Sequence, residues 1–486
     1  MQVQDSEAKG RTLQVKSNRL FDIGGRRVEV RGDAEGVVSH AGVALLPALA
    51  DRVGLTAALG ERPRARRQRA SAHDPGEVLR DVAVALADGA VCVSDLAVLR
   101  DQPELFGTVA SHATVWRTLD RVADDELGGA DGIAAARNRA RAHVWDQDGG
   151  PPLVDGMVVL DFDATIVAAE SDKVGAAGTF KKTYGHHPLL CYLDHGDGTG
   201  DPLAGMLRAG NAGSNTVADH LDVLDAALAA LPAIPQATPM LVRVDGAGAT
   251  HGFVDALRAR DIRFSVGFDV TAKVRAAIAD LPDTAWATVP DPDAPNRAAR
   301  RARPKRWRPP APDKARPQVA ELDIDLAGWP EGARLIARRE HRSPGDQAQL
   351  GDLHGYRISV FLTDCGDDVL VSDRRHRHHA HVEQRIRDAK DTGPANLPHY
   401  DLALNAVWLE LVLCAQALTA WAQRLLLTGP LAAASPKTLR QRLWHTAARV
   451  TRHARRTVVA YQRSWPWTPD LLTAFDRLTA VPPAPG

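Results

Sequence analysis

Between residues 157 and 268 the chain alternates short apolar runs with amphipathic ones, and that order restricts the fold more than any other feature. Residues 157–163, 187–194 and 202–208 have the length and content of β-strands. Residues 215–231 have helical periodicity, 239–245 form a fourth strand, 251–259 a second helix and 262–268 a fifth strand. Three strands, helix, strand, helix, strand predicts an α/β domain, although hairpins and crossovers are each common to many folds. Two of the runs end on aspartate: Met-Val-Val-Leu-Asp-Phe-Asp163 and Met-Leu-Val-Arg-Val-Asp245.

That order matches an RNase H-like catalytic core, and the rest of the chain is read around it. Residues 270–372 interrupt the core with a Pro/Arg-rich stretch (300–308) and strand-like runs at 319–324, 333–337, 356–363 and 368–372. They predict an inserted, mostly β domain. Helix resumes from about His379, and 402–427 offers a mostly apolar helix carrying Trp408 and Trp421. The N-terminal 150 residues read as mostly helical after short strands at 28–30 and 37–45. One helix starts at Asp74-Pro75-Gly76-Glu77, with Asp74 as N-cap and Glu77 as its capping-box partner. The expected division is therefore 1–150 helical, 151–270 and 373–430 as the two parts of the core, 271–372 as the insertion, and 431–486 as a basic C-terminal region, helical to about Tyr461.

Lys plus Arg and Asp plus Glu both total 60, so the global charge argues mildly against a polyanionic partner. The distribution argues for one. Between Glu410 and Asp470 there is no acidic residue but nine basic ones, from Arg424 to Arg463, a field that a phosphate backbone would feel. Cys92, Cys191, Cys365 and Cys414 are too dispersed for a metal-ligand pair or a disulfide framework, which fits a reducing cytoplasm. Neither a signal peptide nor an uninterrupted apolar stretch of membrane-spanning length is expected.

Asp161 and Asp163 lie two apart on one strand and so share a face. Asp163 ends its strand, where a carboxylate reaches solvent without disrupting the core. Asp245 ends another and enters Gly-Ala-Gly248, a loop of little bulk. Glu383 lies in Arg374-Arg-His-Arg-His-His-Ala-His-Val-Glu-Gln-Arg-Ile-Arg-Asp-Ala-Lys390, where helical spacing puts Glu383, Arg387 and Lys390 near one face. Carboxylates suit the hard ion Mg²⁺, and a carboxylate-held metal pair suits phosphoryl transfer. Taken singly, each acid has a plainer role: a turn former at a strand end, or the i,i+4 partner of an arginine.

Asp163-Ala-Thr165, Val244-Asp245-Gly246 and Glu383-x6-Lys390-Asp-Thr-Gly393 resemble the DDE transposases of the IS1380 family, within the wider IS4-like group. So do Phe180-Lys-Lys, Gly185-His-His-Pro-Leu189, Arg208-Ala-Gly-Asn-Ala-Gly-Ser-Asn215, Asn405-Ala-Val-Trp408, residues 94–106, Val115-Trp-Arg-Thr-Leu119 and Pro436-Lys-x-Leu-Arg440, which extends the likeness over nearly the whole chain. The resemblance implies Asp163, Asp245 and Glu383 as the catalytic triad, with Mg²⁺ (or Mn²⁺) as cofactor. Asp161 is a further metal ligand or the alternative first acid. It also implies double-stranded DNA with terminal inverted repeats and a target DNA as partners, a homodimer at synapsis, and a bacterial, nucleoid-associated location. The wider signature, Tyr-x2-Arg-x3-Glu-x6-Lys, is incomplete: its Tyr and Arg places hold His376 and His379, with Arg377 nearby as a substitute.

Arg387, Lys390, Arg377, Arg306 and Arg308 are the candidate DNA contacts, and Trp307 a candidate for stacking on a base. His376, His378, His379 and His381 have some metal-site spacing, but the arginines among them would repel a cation. His186 and His187 either position DNA or cap the second strand. Asn211-Ala-Gly-Ser-Asn215 lacks the lysine of a phosphate-binding loop, and Asn215 reads as a helix cap. Two rival functions remain: a structure-selective nuclease that cuts without joining, and an inactive protein that binds element ends as a regulator.

Overall fold

The structure, a computed structural model, describes residues 20–24, 26–30, 32–61, 73–232, 238–290, 316–342, 347, 352–454 and 456–485. Helix α1 (Pro75–Asp88) begins as expected, with the Asp74 carboxylate accepting from the Gly76 N–H at 2.7 Å and Pro75 in the first turn. Helix α2 (Gly129–Asp146) leads into a nine-stranded sheet. Upstream, 37–45 is strand only at Val37–Val38, and then turns into the helix Leu45–Arg52.

Strands β1 (Val158–Ala164), β2 (Leu189–Asp194) and β3 (Gly200–Met206) form an antiparallel meander, with Leu160 opposite Leu193 and Leu190 opposite Gly205. Helix α3 (Val217–Ala229) carries the chain across the sheet to β4 (Met240–Val244), and α4 (His251–Ala259) carries it to β5 (Arg263–Phe268). Asn215 is not the cap of α3; that position is Thr216. A crossover helix returns the chain to the end of the sheet from which it left, so β4 is parallel to both β1 and β5. The order is β3-β2-β1-β4-β5. Central strands are covered on both faces, and Val158–Phe162 and Leu241–Val244 are wholly buried, apolar except for Asp161 and Arg243, which pair with each other.

On one face Phe162 meets Phe253 of α4 at 5.8 Å and His220 of α3 at 6.5 Å between ring centres. On the other, Leu190 and Tyr192 pack with Val382 and Ile386 of α6 (Ala380–Lys390) and Leu409 and Leu413 of α7 (Leu402–Leu425).

The insertion is not a separate β domain. Its strands β6 (Ala287–Thr288), β7 (Gln318–Leu322), β8 (Arg334–His341) and β9 (Tyr356–Thr363) continue the same sheet in the order β6-β7-β8-β9-β5. β9 runs antiparallel to β5, with Ser265 opposite Thr363. The pairing satisfies backbone groups of β5 that an open edge would leave exposed. It also places Leu335, Ala337 and Leu362 in the main core. Residues 368–372 are helical, not strand, because the Asp368 carboxylate accepts from Leu370 N–H at 2.8 Å and starts α5 (Val369–Arg377).

The C-terminal region also differs from a helix running to Tyr461. Residues Ala448–His453 (β10) and Arg456–Tyr461 (β11) form a hairpin, and β10 pairs with Val37–Val38, tying the end of the fold to its beginning. A final helix, α8, spans Thr468–Ala480. The hairpin was hidden because its turn has none of the usual Gly or Asn signals: Ala454 itself takes a left-handed φ of 52°.

Among the described residues α7 is the one single helix whose 24 residues are long and apolar enough to cross a membrane, and most of it is buried in the core. It is not an uninterrupted apolar stretch, since Asn405, Glu410, Gln416 and Gln423 break it. α7 is apolar all round because α1, α2 and β3 surround it. Arg137 of α2, fully buried, is paired there with Glu410 of α7.

Candidate active site

β1 and β4 are parallel neighbours, with Phe162 level with Val244. The next residues, Asp163 and Asp245, therefore leave adjacent strands at the same edge of the sheet. Clefts at the carboxyl ends of parallel strands are where such sheets bind ligands. Asp245 is exposed and starts the turn Gly246–Gly248, its Oδ1 accepting from Ala247 N–H at 2.9 Å. That turn lies hard against β5: a Cβ on Gly267 would stand 2.7 Å from the Gly246 nitrogen, so only glycine fits. Glu383 is exposed in the first turn of α6.

Asp163 feels the charges of the other two acids. Burial pushes the Asp163 carboxyl up to about 6; His379 opposes the shift, and the charges of Asp245 and Glu383 add to it. Lys390 is close as well. Burial lowers its ammonium pKa, the Lys181 charge lowers it further, and Asp163 raises it. Lys181 and Lys390 line a cavity of about 260 Å³ with Thr165, Phe180, Thr183 and His187, opening beside the end of β1. Phe180 is 67% exposed at its rim. His187 is buried and His186 bonds Val174 O at 3.1 Å.

A raised carboxyl pKa in the folded state has a definite sign. The native protein holds the Asp163 proton to higher pH than the unfolded chain does. Folding therefore loses stability as pH rises from about 4 through about 6. Asp163→Asn is expected to stabilise the metal-free protein above pH 7 by on the order of 1–2 kcal/mol, after discounting for partial exposure. It should change nothing near pH 4. Urea unfolding at the two pH values checks this, and equal effects at both would refute it.

Asp161 does not join the exposed acids. It is fully buried, with Arg243 Nε and Nη2 donating to its two oxygens, each at 2.7 Å. Arg385 Nη1 adds a bond at 2.7 Å, and His379 Nδ1 lies 3.1 Å from Oδ1. Both arginines also bond Asp194 at the end of β2, and Arg243 Nη1 donates to Arg375 O at 2.9 Å. The arginines hold the Asp161 carboxyl well below the usual range despite its burial. This network ties β1, β2 and β4 to α5 and to α6, the helix that carries Glu383.

Arg243, Asp194 and Arg385 were missed from the sequence. Arg243 alone carried a signal, a charge inside the apolar strand run Met-Leu-Val-Arg-Val, since a buried charge needs a partner.

The other candidates are scattered. Arg377 is exposed at the end of α5, and Arg387 is exposed with Nη1 donating to Gln384 Oε1 at 2.9 Å. Arg306, Trp307 and Arg308 lie outside the described residues. His379, in the signature's arginine place, faces Asp161. His376, in its tyrosine place, stacks on Phe361 at 4.2 Å, and burial pushes its pKa down to about 3. The histidine run thus forms no metal cluster. Among the described residues one group has three ligand atoms that all lie within 4.8 Å of one another and could coordinate a divalent metal: His40, Asp88 and His445.

The family described as "Transposase DDE domain group 1" matches residues 22–483. The chain belongs to that family. Its function accordingly falls in the DDE transposase and nuclease superfamily, on a mixed α/β fold with a multi-stranded sheet core flanked by helices. No curated protein matches the chain. Among solved structures, the cryo-EM structure of the piggyBac transposase synaptic complex with hairpin DNA is similar at 10% identity and a TM-score of 0.40, over 83% of this chain and 78% of that one.

Proposed function

We propose that this member of the DDE family is an insertion-sequence transposase of the IS1380 type. In this reading it cuts DNA at the ends of its element and joins them to target DNA, with Asp163, Asp245 and Glu383 as its catalytic acids. The observation that carries the reading is that Asp163 and Asp245 leave adjacent parallel strands at the same end and that Asp163 feels the charges of Asp245 and of Glu383 on α6, beside a cavity lined by Lys181 and Lys390. The strand order β3-β2-β1-β4-β5 supports an RNase H-like core, entered again at α6 after the insertion.

The donor set fits Mg²⁺ or Mn²⁺. All three groups offer oxygen, and the charges of Asp245 and Glu383, which add to the rise that burial gives the Asp163 pKa, are a repulsion that a divalent cation would relieve. Bound there, the ions would activate a hydroxyl nucleophile and stabilise the leaving oxygen. Asp163 and Asp245 offer their oxygens from rigid strand ends, and Glu383 closes the set from α6. Lys390 and Lys181 take phosphate oxygens in the cavity. Hydrolysis at an element end frees a 3′ hydroxyl, which then attacks a target phosphodiester. One P–O bond replaces another, so joining needs no external energy source. In this reading the helical N-terminal part and the basic C-terminal part bind terminal inverted repeats, a homodimer holds two ends, and the protein works at the bacterial nucleoid.

The test uses labelled duplexes carrying the ends that flank the gene, with Mg²⁺. Cleavage together with joining of a pre-cleaved 3′ end supports the proposal. Cleavage without joining indicates a nuclease, and end binding without either reaction indicates a regulator. Lys390→Ala is expected to weaken end binding for all sequences alike and to flatten the salt dependence of log Kd by about one unit of slope. Competition binding at several salt concentrations measures it, and an unchanged slope would remove Lys390 from the phosphate contacts.

A further inference from the structure

We propose that His40, Asp88 and His445 form a site for a transition-metal dication of the zinc class, separate from the acids of the candidate active site. The ion would clasp the beginning and the end of the fold onto α1. The three residues come from distant parts of the chain. His40 precedes the short turn Ala41–Ala44 in a left-handed conformation (φ 53°, ψ 26°), Asp88 ends α1, and His445 follows the turn Arg440–Trp444.

The two imidazoles stack at 3.9 Å between centres, 24° from parallel, and each turns a nitrogen toward the same carboxylate. His40 Nδ1 lies 2.6 Å from Oδ2, and His445 Nε2 lies 3.1 Å from Oδ1 and 3.2 Å from the Asp88 carbonyl oxygen. The Asp88 side chain is only 2% exposed, and its Oδ1 forms no regular hydrogen bond, its one near donor being the His445 Nε2 at 3.1 Å. A buried carboxylate oxygen without a regular hydrogen bond is costly, and a cation bridging it to the imidazole lone pairs removes that cost.

Two imidazoles and one carboxylate are a zinc-type donor set, whereas Mg²⁺ prefers oxygen alone. The imidazoles are 27% and 38% exposed, so solvent reaches the site and water can complete a tetrahedral shell. Arg440 carries the nearest opposing charge. It donates to the carbonyl of Ala87 at 3.0 Å and to that of Asp391, which directs it away from the carboxylate while lowering cation affinity. The clasp acts where β10 pairs with Val37–Val38, so it would reinforce the closure of the C-terminal hairpin on the N-terminal strand.

The experiment is calorimetric titration of the chelator-treated full chain with ZnCl2, with MgCl2 as control, alongside thermal unfolding with each salt. To keep the active-site acids from contributing, it is run in Glu383→Gln as well as in the unaltered chain. One Zn²⁺ per chain is expected in both, with a higher Tm in Zn²⁺ than in Mg²⁺. His445→Ala and His40→Gln should each weaken binding by at least about 100-fold and cancel the Tm gain, with circular dichroism unchanged. A protein that binds no Zn²⁺ overturns the proposal. So does binding that survives both histidine substitutions, or binding lost in Glu383→Gln alone.

Discussion

Glu383→Gln is expected to remove Mg²⁺-dependent cleavage and joining by at least about 10³-fold while sparing the fold and the binding of DNA ends. The substitution keeps the shape of the side chain and removes one negative charge from a position exposed on the first turn of α6. No core contact is lost, so the melting temperature should stay close to that of the unaltered protein. Asp245→Asn should behave alike, because the amide oxygen still accepts the Ala247 N–H that caps the turn. Cleavage and strand-transfer gels measure the first effect, and a binding titration on the same DNA measures the second. Activity within tenfold of wild type in either variant would take that residue out of the proposed triad.

Arg243→Leu is expected to cost about 3–5 kcal/mol of stability, far more than any of those active-site changes, because it leaves Asp161 and Asp194 buried with part of their countercharge gone. Asp161→Ala should cost a similar amount, since it strands Arg243 and Arg385 instead. Both also loosen α6 against β1, so any folded remnant should cleave poorly although the three outer acids are intact. Denaturant unfolding at pH 7 checks the cost. A loss below about 1 kcal/mol would show that the network relaxes or admits water. The contrast with Asp163→Asn, expected to stabilise at the same pH, separates the two aspartates of β1: one anchors the fold and the other is left for the proposed chemistry.

Part of the candidate site was legible early. Asp163 and Asp245 follow apolar runs, and an acid at the end of a buried strand has few other places to go. Glu383 stands on a helix face with Arg387 and Lys390. Lys181, by contrast, lies in a stretch with no regular periodicity, and only folding brings it to the cavity beside Lys390. Asp161 and Asp163 were indistinguishable in sequence because a two-residue spacing puts both on one face. Their difference is depth: Asp161 lies over the centre of the sheet, where Arg243 and Arg385 enclose it, and Asp163 lies at its edge.

The sequence by itself determined the succession of core strands and helices, since a buried strand and an amphipathic helix impose different periods on apolar residues. It also determined the start of α1, which depends only on the local chemistry of Asp74 and Pro75. Tertiary structure alone decided that the insertion lengthens the core sheet, because strand pairing is set by backbone hydrogen bonds between distant segments, which leave no mark on local composition. It likewise decided that residues 448–461 form a hairpin against Val37–Val38 where helix was expected: that outcome rests on a partner strand more than 400 residues away in the chain. The buried Asp161–Arg243–Arg385–Asp194 network and the His40–Asp88–His445 cluster belong to the same class. Apart from Arg243, each residue in them is ordinary in its own segment, and all acquire their roles only when burial removes water and leaves the others as partners.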